Sequence, residues 1–421
     1  MIQIPELLPG ITLRCFPDHR FKHGCLSVQF VRPMCREEAA MNALLPAVLL
    51  RGSRRHPDLR AITLRLDDLY GASVGTLVRR IGDCQTTGLY CSFMEDRFAM
   101  EGDAILAPMV DFLKELLLEP VLEHGGFRAD FVESEKKNLI STIEAQLNDK
   151  RAYAMEQLVK RMCRGDSFGI PRLGETEQVA AITPEALYAH YKEVLCSSPI
   201  ELCYVGAAEE AQVAALVKGI FAGLDRACQG MPAQMAFRGA AGGEHVQQMD
   251  VSQGKLCMGF TTPVTVRDKE FVAMQLLNMV FGGGMTSKLF MQVRERLSLC
   301  YAIGSGYHGS KGILTVSAGI DSGKSEVVRR EILAQLEACR NGEITPQELT
   351  AAKQAMRSSL LATHDSPGAM EGYYATAALS GLALTPEAYI RAVEETTLEQ
   401  VAAAARTVQL HTVYFLKGVT A

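Results

Sequence analysis

GCLSVQF (residues 24–30) and GKLCMGF (residues 254–260) share a Gly-x-Leu opening and a closing Phe, and adding 230 to the first set of positions gives the second. A repeat at that distance in a chain of 421 residues reads as one folding unit written twice. The likeness continues downstream. MNALLPAVLLRG (41–52) lies opposite FVAMQLLNMVFG (271–282), both apolar and unbroken enough for buried helices. LDDLYGASVG (66–75) faces SLCYAIGSG (298–306), and each leads into a strand, a turn (IGDCQTTG or YHGSKG) and another strand. The halves also close alike, ITPEALYAHYKEVL then IELCYVG against TTLEQVAAAARTVQ then TVYFLKG, with Thr183 expected to cap a helix whose first residue is Pro184, and Thr397 and Gln400 expected to form a capping box.

Strand, helix, hairpin, helices and strand, run twice, predict an α+β protein of two homologous domains, each a mainly antiparallel sheet with helices packed on one face. The expected boundaries are 1–222 for the first domain and 248–421 for the second, joined by a Gly- and Ala-rich linker at 223–247 that lacks sustained periodicity.

The bulk composition excludes some function classes. Forty-three Lys and Arg against 48 Asp and Glu leave a net charge of -5, which offers no general electrostatic reason to bind nucleic acid or an anionic membrane. The first residues, MIQIPELLPGITLRC, lack the basic and apolar regions of a signal peptide, and no apolar run approaches the roughly 20 residues of a membrane span. Twelve cysteines without a CxxC, several inside strand-like runs, predict buried reduced thiols and a cytoplasmic protein.

Three stretches invite chemistry. In AGIDSGKSEVV (318–328), Gly323-Lys324-Ser325 follows a strand and precedes a helix, but Ala318 stands where a phosphate-binding loop needs its first glycine, so Ser322 or Ser325 is expected simply to cap the helix. RCFPDHRFKHGC holds Cys15, His19, His23 and Cys25 at a spacing that matches no zinc site, and Asp18 to His23 is expected to be an exposed hairpin turn. The third is FGGGMTSKLFMQVRERLSLCYAIGSG (281–306). Glycine allows positive φ and close backbone approach, so Gly282, Gly283 and Gly284 turn the chain after the preceding helix and are candidates for backbone contact with a substrate. Thr286 or Ser287 would cap a helix whose Leu289, Val293 and Leu297 form a buried stripe, with Phe290 one turn before Arg294. Continued as a helix, the segment would place Tyr301 about two turns beyond Arg294 and on a similar side. A guanidinium and a phenol there could hold peptide carbonyls or a developing oxyanion; an exposed arginine and a core tyrosine are the plainer reading.

The run Gly-Gly-Gly-Met-x-Ser-x-Leu-Phe, then Arg294-Glu295, then Leu299-x-Tyr301, with EITPQELTAAKQAMRSSLL (343–361) after it, resembles the C-terminal domain signature of the pitrilysin/insulinase family of inverzincin metallopeptidases, and the likeness runs through both repeats. In that family two such domains form one half of a clamshell. One half carries zinc on an inverted His-x-x-Glu-His helix plus a distant Glu, and the opposite half supplies the Arg and Tyr. The resemblance places Ala43, Pro46 and Ala47 where His, Glu and His would stand, and Thr142 at the distant Glu, although Glu135 is kept. Ser298 replaces the usual Gly before Leu299, and Lys288 stands where Arg is common. The resemblance therefore implies no metal in this chain and a non-catalytic, substrate-positioning subunit of a heterodimeric zinc peptidase. A zinc-bearing paralogous partner would supply the metal and the substrate would be a peptide; for the isolated chain, a homodimer and a single chain both stay open. The rival expectation is an inactive scaffold protein of the same descent; nucleotide binding at Gly323–Ser325 ranks last.

Overall fold

The computed structural model describes residues 6–418; residues 1–5 and 419–421, at the ends of the two expected domains, lie outside the described residues. The first sheet contains β1 (Glu6–Leu8), β2 (Ile11–Pro17), β3 (His23–Pro33), β4 (Ser73–Ile81) and β5 (Cys84–Met94). A two-stranded ribbon, β6 (Leu122–Glu123) with β7 (Gly126–Phe127), precedes its last strand, β8 (Ile200–Gly206). The second sheet holds β9 (Glu244–Met249), β10 (Gly254–Thr261), β11 (Ala302–His308), β12 (Ile313–Ile320) and β13 (Gln409–Gly418).

The strand orders are β1-β2-β8-β3-β5-β4 and β9-β13-β10-β12-β11. Apart from the extra edge strand β1, one order is the other. The 230-residue offset is carried into the register: Leu26 pairs with Cys91 and Tyr204, and Leu256 with Ala318 and Phe415. In both sheets one ladder is parallel, β2 on β8 and β9 on β13, and the others are antiparallel. Glu244–Met249 is thus the counterpart of β2, and the linker expected at 223–247 ends in a strand. The link from β2 to β3 is likewise not a hairpin, because β8 lies between those strands.

Two compact units emerge, and they are not contiguous in sequence. One comprises the chain through Glu144, Ile170–Ala233 and His364–Leu379; the other comprises Ala145–Gly169, Gln234–Thr363 and the chain from Ser380. The exchange follows from strand pattern. Leu26, Val28 and Phe30 point into the main core of the first unit, while Cys25, Ser27, Gln29 and Val31 on the opposite face are buried as well. Helix Pro367–Ser380 covers that face: Met370 packs with Cys25, Leu379 with Val31, and the buried Glu371 accepts from Ser27 Oγ at 2.8 Å and Arg79 Nη2 at 2.7 Å. In the second unit helix Lys150–Met162 plays the same part, its Ala154 and Leu158 packing with Cys257, and a Cβ on Gly259 would stand 2.5 Å from Met162 Sδ. The exchanged segment is fastened by Lys311, from the β11–β12 turn, whose Nζ lies 2.9 Å from Asp166 Oδ1 with both groups buried. Each sheet therefore carries a helix on the second face, beyond the one-face covering expected.

The local signals hold where they were specific. Thr183 caps Pro184–Ser197, accepting from the Ala186 amide, and Thr397 with Gln400 forms a capping box. Among the described residues no helix is long and apolar enough to cross a membrane.

Candidate functional site

Helix Phe271–Phe281 stops where the amides of Gly282 and Gly283 both donate to the Asn278 carbonyl, at 3.0 and 2.8 Å. None of the three glycines lies at positive φ, so of the two expected reasons for them only close backbone approach holds. At two of them that approach is tight: a Cβ on Gly282 would stand 2.7 Å from Ser305 Oγ and 2.8 Å from Leu289 Cδ1, and one on Gly283 2.9 Å from the Met279 Cα. Ser305, in β11, seals the turn, its amide donating to the Gly282 carbonyl at 2.9 Å and its hydroxyl to Asn278 Oδ1 at 2.7 Å.

Ser287 Oγ accepts from the Phe290 amide at 3.4 Å, but the helix that follows is not an α-helix. Leu289–Arg296 is a π-helix, and the Leu297 amide donates to the Gln292 carbonyl five residues back at 3.0 Å. The extra residue per turn explains why Leu289 and Val293 are buried while Leu297, expected on the same stripe, is 44 % exposed. Nor does the helix reach Tyr301. Ser298 turns the chain at φ +48°, and the Tyr301 amide joins the second sheet by donating to the Gly319 carbonyl at 2.9 Å. Arg294 and Tyr301 therefore come from different elements, a π-helix and the entry to edge strand β11. They line one open recess of about 320 Å³ together with Glu295, Cys300, Asp321 and Lys324. Tyr301 is 56 % exposed, so it is not a core tyrosine.

Arg294 lies over the Phe290 ring, Cζ 4.6 Å from its centroid, a cation–π contact. Its 3.6 Å approach to Glu295 is too long for a hydrogen bond, so it balances charge without tying down the donor fork. The Tyr301 hydroxyl donates to Asp321 Oδ1 at 2.8 Å, and Asp321 Oδ2 lies 3.1 Å from Lys324 Nζ. That hydrogen bond raises the phenol above the ordinary tyrosine range; the same bond, followed by the Lys324 contact, lowers Asp321 below the usual carboxylate range. Burial pushes the Cys300 thiol up to about 11, which keeps it protonated and unreactive at neutral pH. Just before the π-helix Lys288 is buried, with Nζ 3.0 and 3.1 Å from the two Glu348 oxygens, and Glu348 also closes the capping box of helix Pro346–Ala362 with Thr345.

The first-half counterpart of helix Phe271–Phe281 is packed shut. Ala43, Pro46 and Ala47 lie on helix Arg36–Leu49, where Ala43 and Pro46 are buried and Ala47 is partly so. Pro46 has no N–H to give the Asn42 carbonyl one turn back, and the Thr87 hydroxyl, from β5, donates to that carbonyl instead at 2.7 Å. Around Pro46 stand Phe30, Leu49, Leu117 and Tyr191, lining a void of about 10 Å³. The Asn42 side chain is spent on Gln85 at 2.9 Å and His190 at 2.7 Å, and burial holds His190 below the ordinary histidine range. Thr142, on helix Ala129–Ala145, is exposed and donates to the Asn138 carbonyl at 2.8 Å. Glu135, the acid retained on that helix, takes Arg51 at 3.3 Å. These side chains do not fit a zinc ion, and among the described residues no group of three or more His, Cys, Asp or Glu could hold a metal.

Other readings are sharpened or corrected. Neither Ser322 nor Ser325 caps a helix; Ser322 Oγ accepts from the Gly418 amide at 3.2 Å, and Lys324 is drawn to Asp321. Two functional-looking groups were missed in the sequence. Asp321 was hidden inside the phosphate-loop decoy. The second is a cluster on Glu115, a buried carboxylate that accepts from Ser53 Oγ, lies 2.9 Å from Arg55 Nε and 2.8 Å from His56 Nδ1. Burial alone would raise this acid, but its bonds from Ser53 and His56 bring it below the usual range. Because Ser53 gives its proton to the carboxylate and not to the imidazole, the cluster braces the loop after the helix and makes no nucleophile.

A duplicated α+β fold with an Arg/Tyr recess in one half and a closed, ligand-free helix in the other defines a metallopeptidase homologue without its metal ligands. Residues 181–356 match the family described as Peptidase M16 inactive domain. A Bacillus subtilis (strain 168) protein named "Probable inactive metalloprotease YmfF" is 30% identical over 409 residues, 97% of this chain and 96% of that protein. Among solved structures, a conserved protein from Enterococcus faecalis V583 superposes with TM-score 0.91 at 28% identity, covering 99% of this chain and 98% of that one. A peptidase M16 inactive domain from Pseudomonas fluorescens shares the fold at TM-score 0.80 and 20% identity, covering 100% and 98%. The chain belongs to the M16 peptidase family, the pitrilysin/insulinase group, as an inactive metalloprotease homologue.

Proposed function

We propose that this chain is the substrate-positioning subunit of a two-chain zinc peptidase, lending Arg294 and Tyr301 to a zinc-bearing paralogue that performs the cleavage. The observation that carries this reading is the recess: a donor-only guanidinium and an exposed phenol share an open cavity, while the helix that would hold the metal is filled with Ala43 and Pro46. Peptide is the substrate class these groups suit. The edge position of β11, beside the recess, adds main-chain groups to which an extended peptide can pair. Twelve free cysteines, most of them buried, fit a reducing compartment such as the cytoplasm.

The test mixes the purified chain with a zinc-bearing relative and follows cleavage of a fluorogenic peptide library. Alone, the chain is expected to bind no stoichiometric zinc and to cleave nothing; the mixture cleaves, and Arg294→Ala or Tyr301→Phe abolishes most of the gain. Cleavage by the mixture that ignores both substitutions refutes the proposal.

A further inference from the structure

Tyr301 has one hydroxyl proton, and Asp321 accepts it at 2.8 Å. The arrangement is fixed by a strand-to-strand bond at Tyr301 and a turn bond at Asp321. The Tyr301 amide donates to the Gly319 carbonyl, two residues before Asp321, and the Asp321 carbonyl accepts from the Lys324 amide at 2.9 Å. Lys324 Nζ, 3.1 Å from the second carboxylate oxygen, favours the ionised acid. A hydrogen bond to a carboxylate is stronger than one to a neutral peptide carbonyl, so a substrate carbonyl competes poorly for that proton. What the phenol offers the recess is its oxygen lone pairs.

We propose that Asp321 fixes the polarity of Tyr301, so that the phenol oxygen accepts a main-chain N–H of the substrate while Arg294, which can only donate, takes a carbonyl of the same peptide. The inference rests on the substrate-positioning reading above. It makes Asp321 a positioning residue, and it defines the substrate class more narrowly: one residue of the bound peptide must carry an N–H, so proline is excluded there.

The experiment uses the chain mixed with its zinc-bearing relative and a set of peptides in which one non-scissile amide at a time is replaced by an ester, which deletes an N–H with little change in shape. At one position the ester is expected to lower kcat/KM about five-fold with the unmodified chain, the size of one neutral hydrogen bond. With Tyr301→Phe the same ester costs nothing further, and with Asp321→Asn its cost shrinks because the phenol can rotate. On the isolated chain, ultraviolet titration should find that Asp321→Asn returns one tyrosine from a raised pKa to the ordinary range. Ester penalties equal in the unmodified chain and Tyr301→Phe at every position overturn the inference, as does a phenol titration unmoved by Asp321→Asn. If Arg294→Ala and Tyr301→Phe leave cleavage of the all-amide peptide unchanged, the positioning reading falls and takes this inference with it; a fall in cleavage without ester coupling overturns this inference alone.

Discussion

Helix Arg36–Leu49 and helix Phe271–Phe281 occupy corresponding places in the repeat, and they serve different ends. In the first, a helix interrupted by Pro46 is drawn into the core, and its polar side chains serve each other: Asn42 with Gln85 and His190, Thr87 with the orphan carbonyl. In the second, an apolar helix of the same kind ends in close-packed glycines, passes into a π-helix and leaves an arginine and a tyrosine on an open recess. The scaffold is common to both halves, so it does not determine the chemistry. The side chains placed on it do.

The sharpest way to break this comparison is to treat the closed site as if it were merely missing its ligands. Ala43→His, Ala47→His and Thr142→Glu refill the ligand positions and Pro46→Glu the base; at the buried Ala43 and Pro46, polar atoms without partners and overpacking each cost on the order of 2 kcal/mol. We expect urea unfolding to show a loss of about 4 kcal/mol or more and no zinc in the purified variant. A stable variant that takes up zinc would mean the first half is a dormant site and not core.

The open recess should answer in the other currency. Arg294→Ala is expected to lower kcat/KM of the two-chain mixture about a hundredfold, about 2.7 kcal/mol of transition-state binding. Its unfolding free energy should stay within about 0.5 kcal/mol, because Arg294 is partly exposed and its contacts are with Phe290 and Glu295. A comparable loss of stability would make the residue structural and erase the contrast between the halves.

Much of this contrast was legible in the sequence, and the illegible part has a physical cause. The duplication, the strand order's raw material and the caps at Thr183 and Thr397 rest on local pattern, and the lost zinc-site residues at Ala43, Pro46 and Ala47 rest on the family resemblance. What the pattern lacked was tertiary. Helix Pro367–Ser380 covers the first sheet although it belongs to the second half of the chain, because Glu371 finds Arg79, Ser27 and Gln29 there. The linker's last residues gave no strand periodicity, since β9 is an exposed edge with polar residues along it. The π-helix was unreadable because a single extra residue per turn leaves no trace in a run that also fits an α-helix. Asp321 needed the fold to bring it 2.8 Å from a tyrosine twenty residues earlier.

A smaller effect tests whether the closed helix has been rebuilt around its proline. Thr87→Val keeps shape but leaves the Asn42 carbonyl buried without the donor that replaces the missing Pro46 amide, and should cost about 1–2 kcal/mol. In a Pro46→Ala background the helix regains its own N–H, so the same change should cost markedly less, a coupling that a double-mutant cycle measures directly. Equal costs in both backgrounds would show that Thr87 does not substitute for the helical bond.

The smallest expected effect lies between Arg294 and Tyr301. Ser298 sits at φ +48°, a conformation costing an L-residue about 1–2 kcal/mol and glycine almost nothing, though glycine loses more entropy on folding. Ser298→Gly should therefore stabilise the protein by about 0.5 kcal/mol while leaving the spacing of the recess intact, so the mixture's kcat/KM should be unchanged within twofold. If the substitution instead destabilises the chain, the serine hydroxyl supports the turn, and the recess depends on a contact at Ser298 as well as on the backbone that joins the π-helix to the sheet.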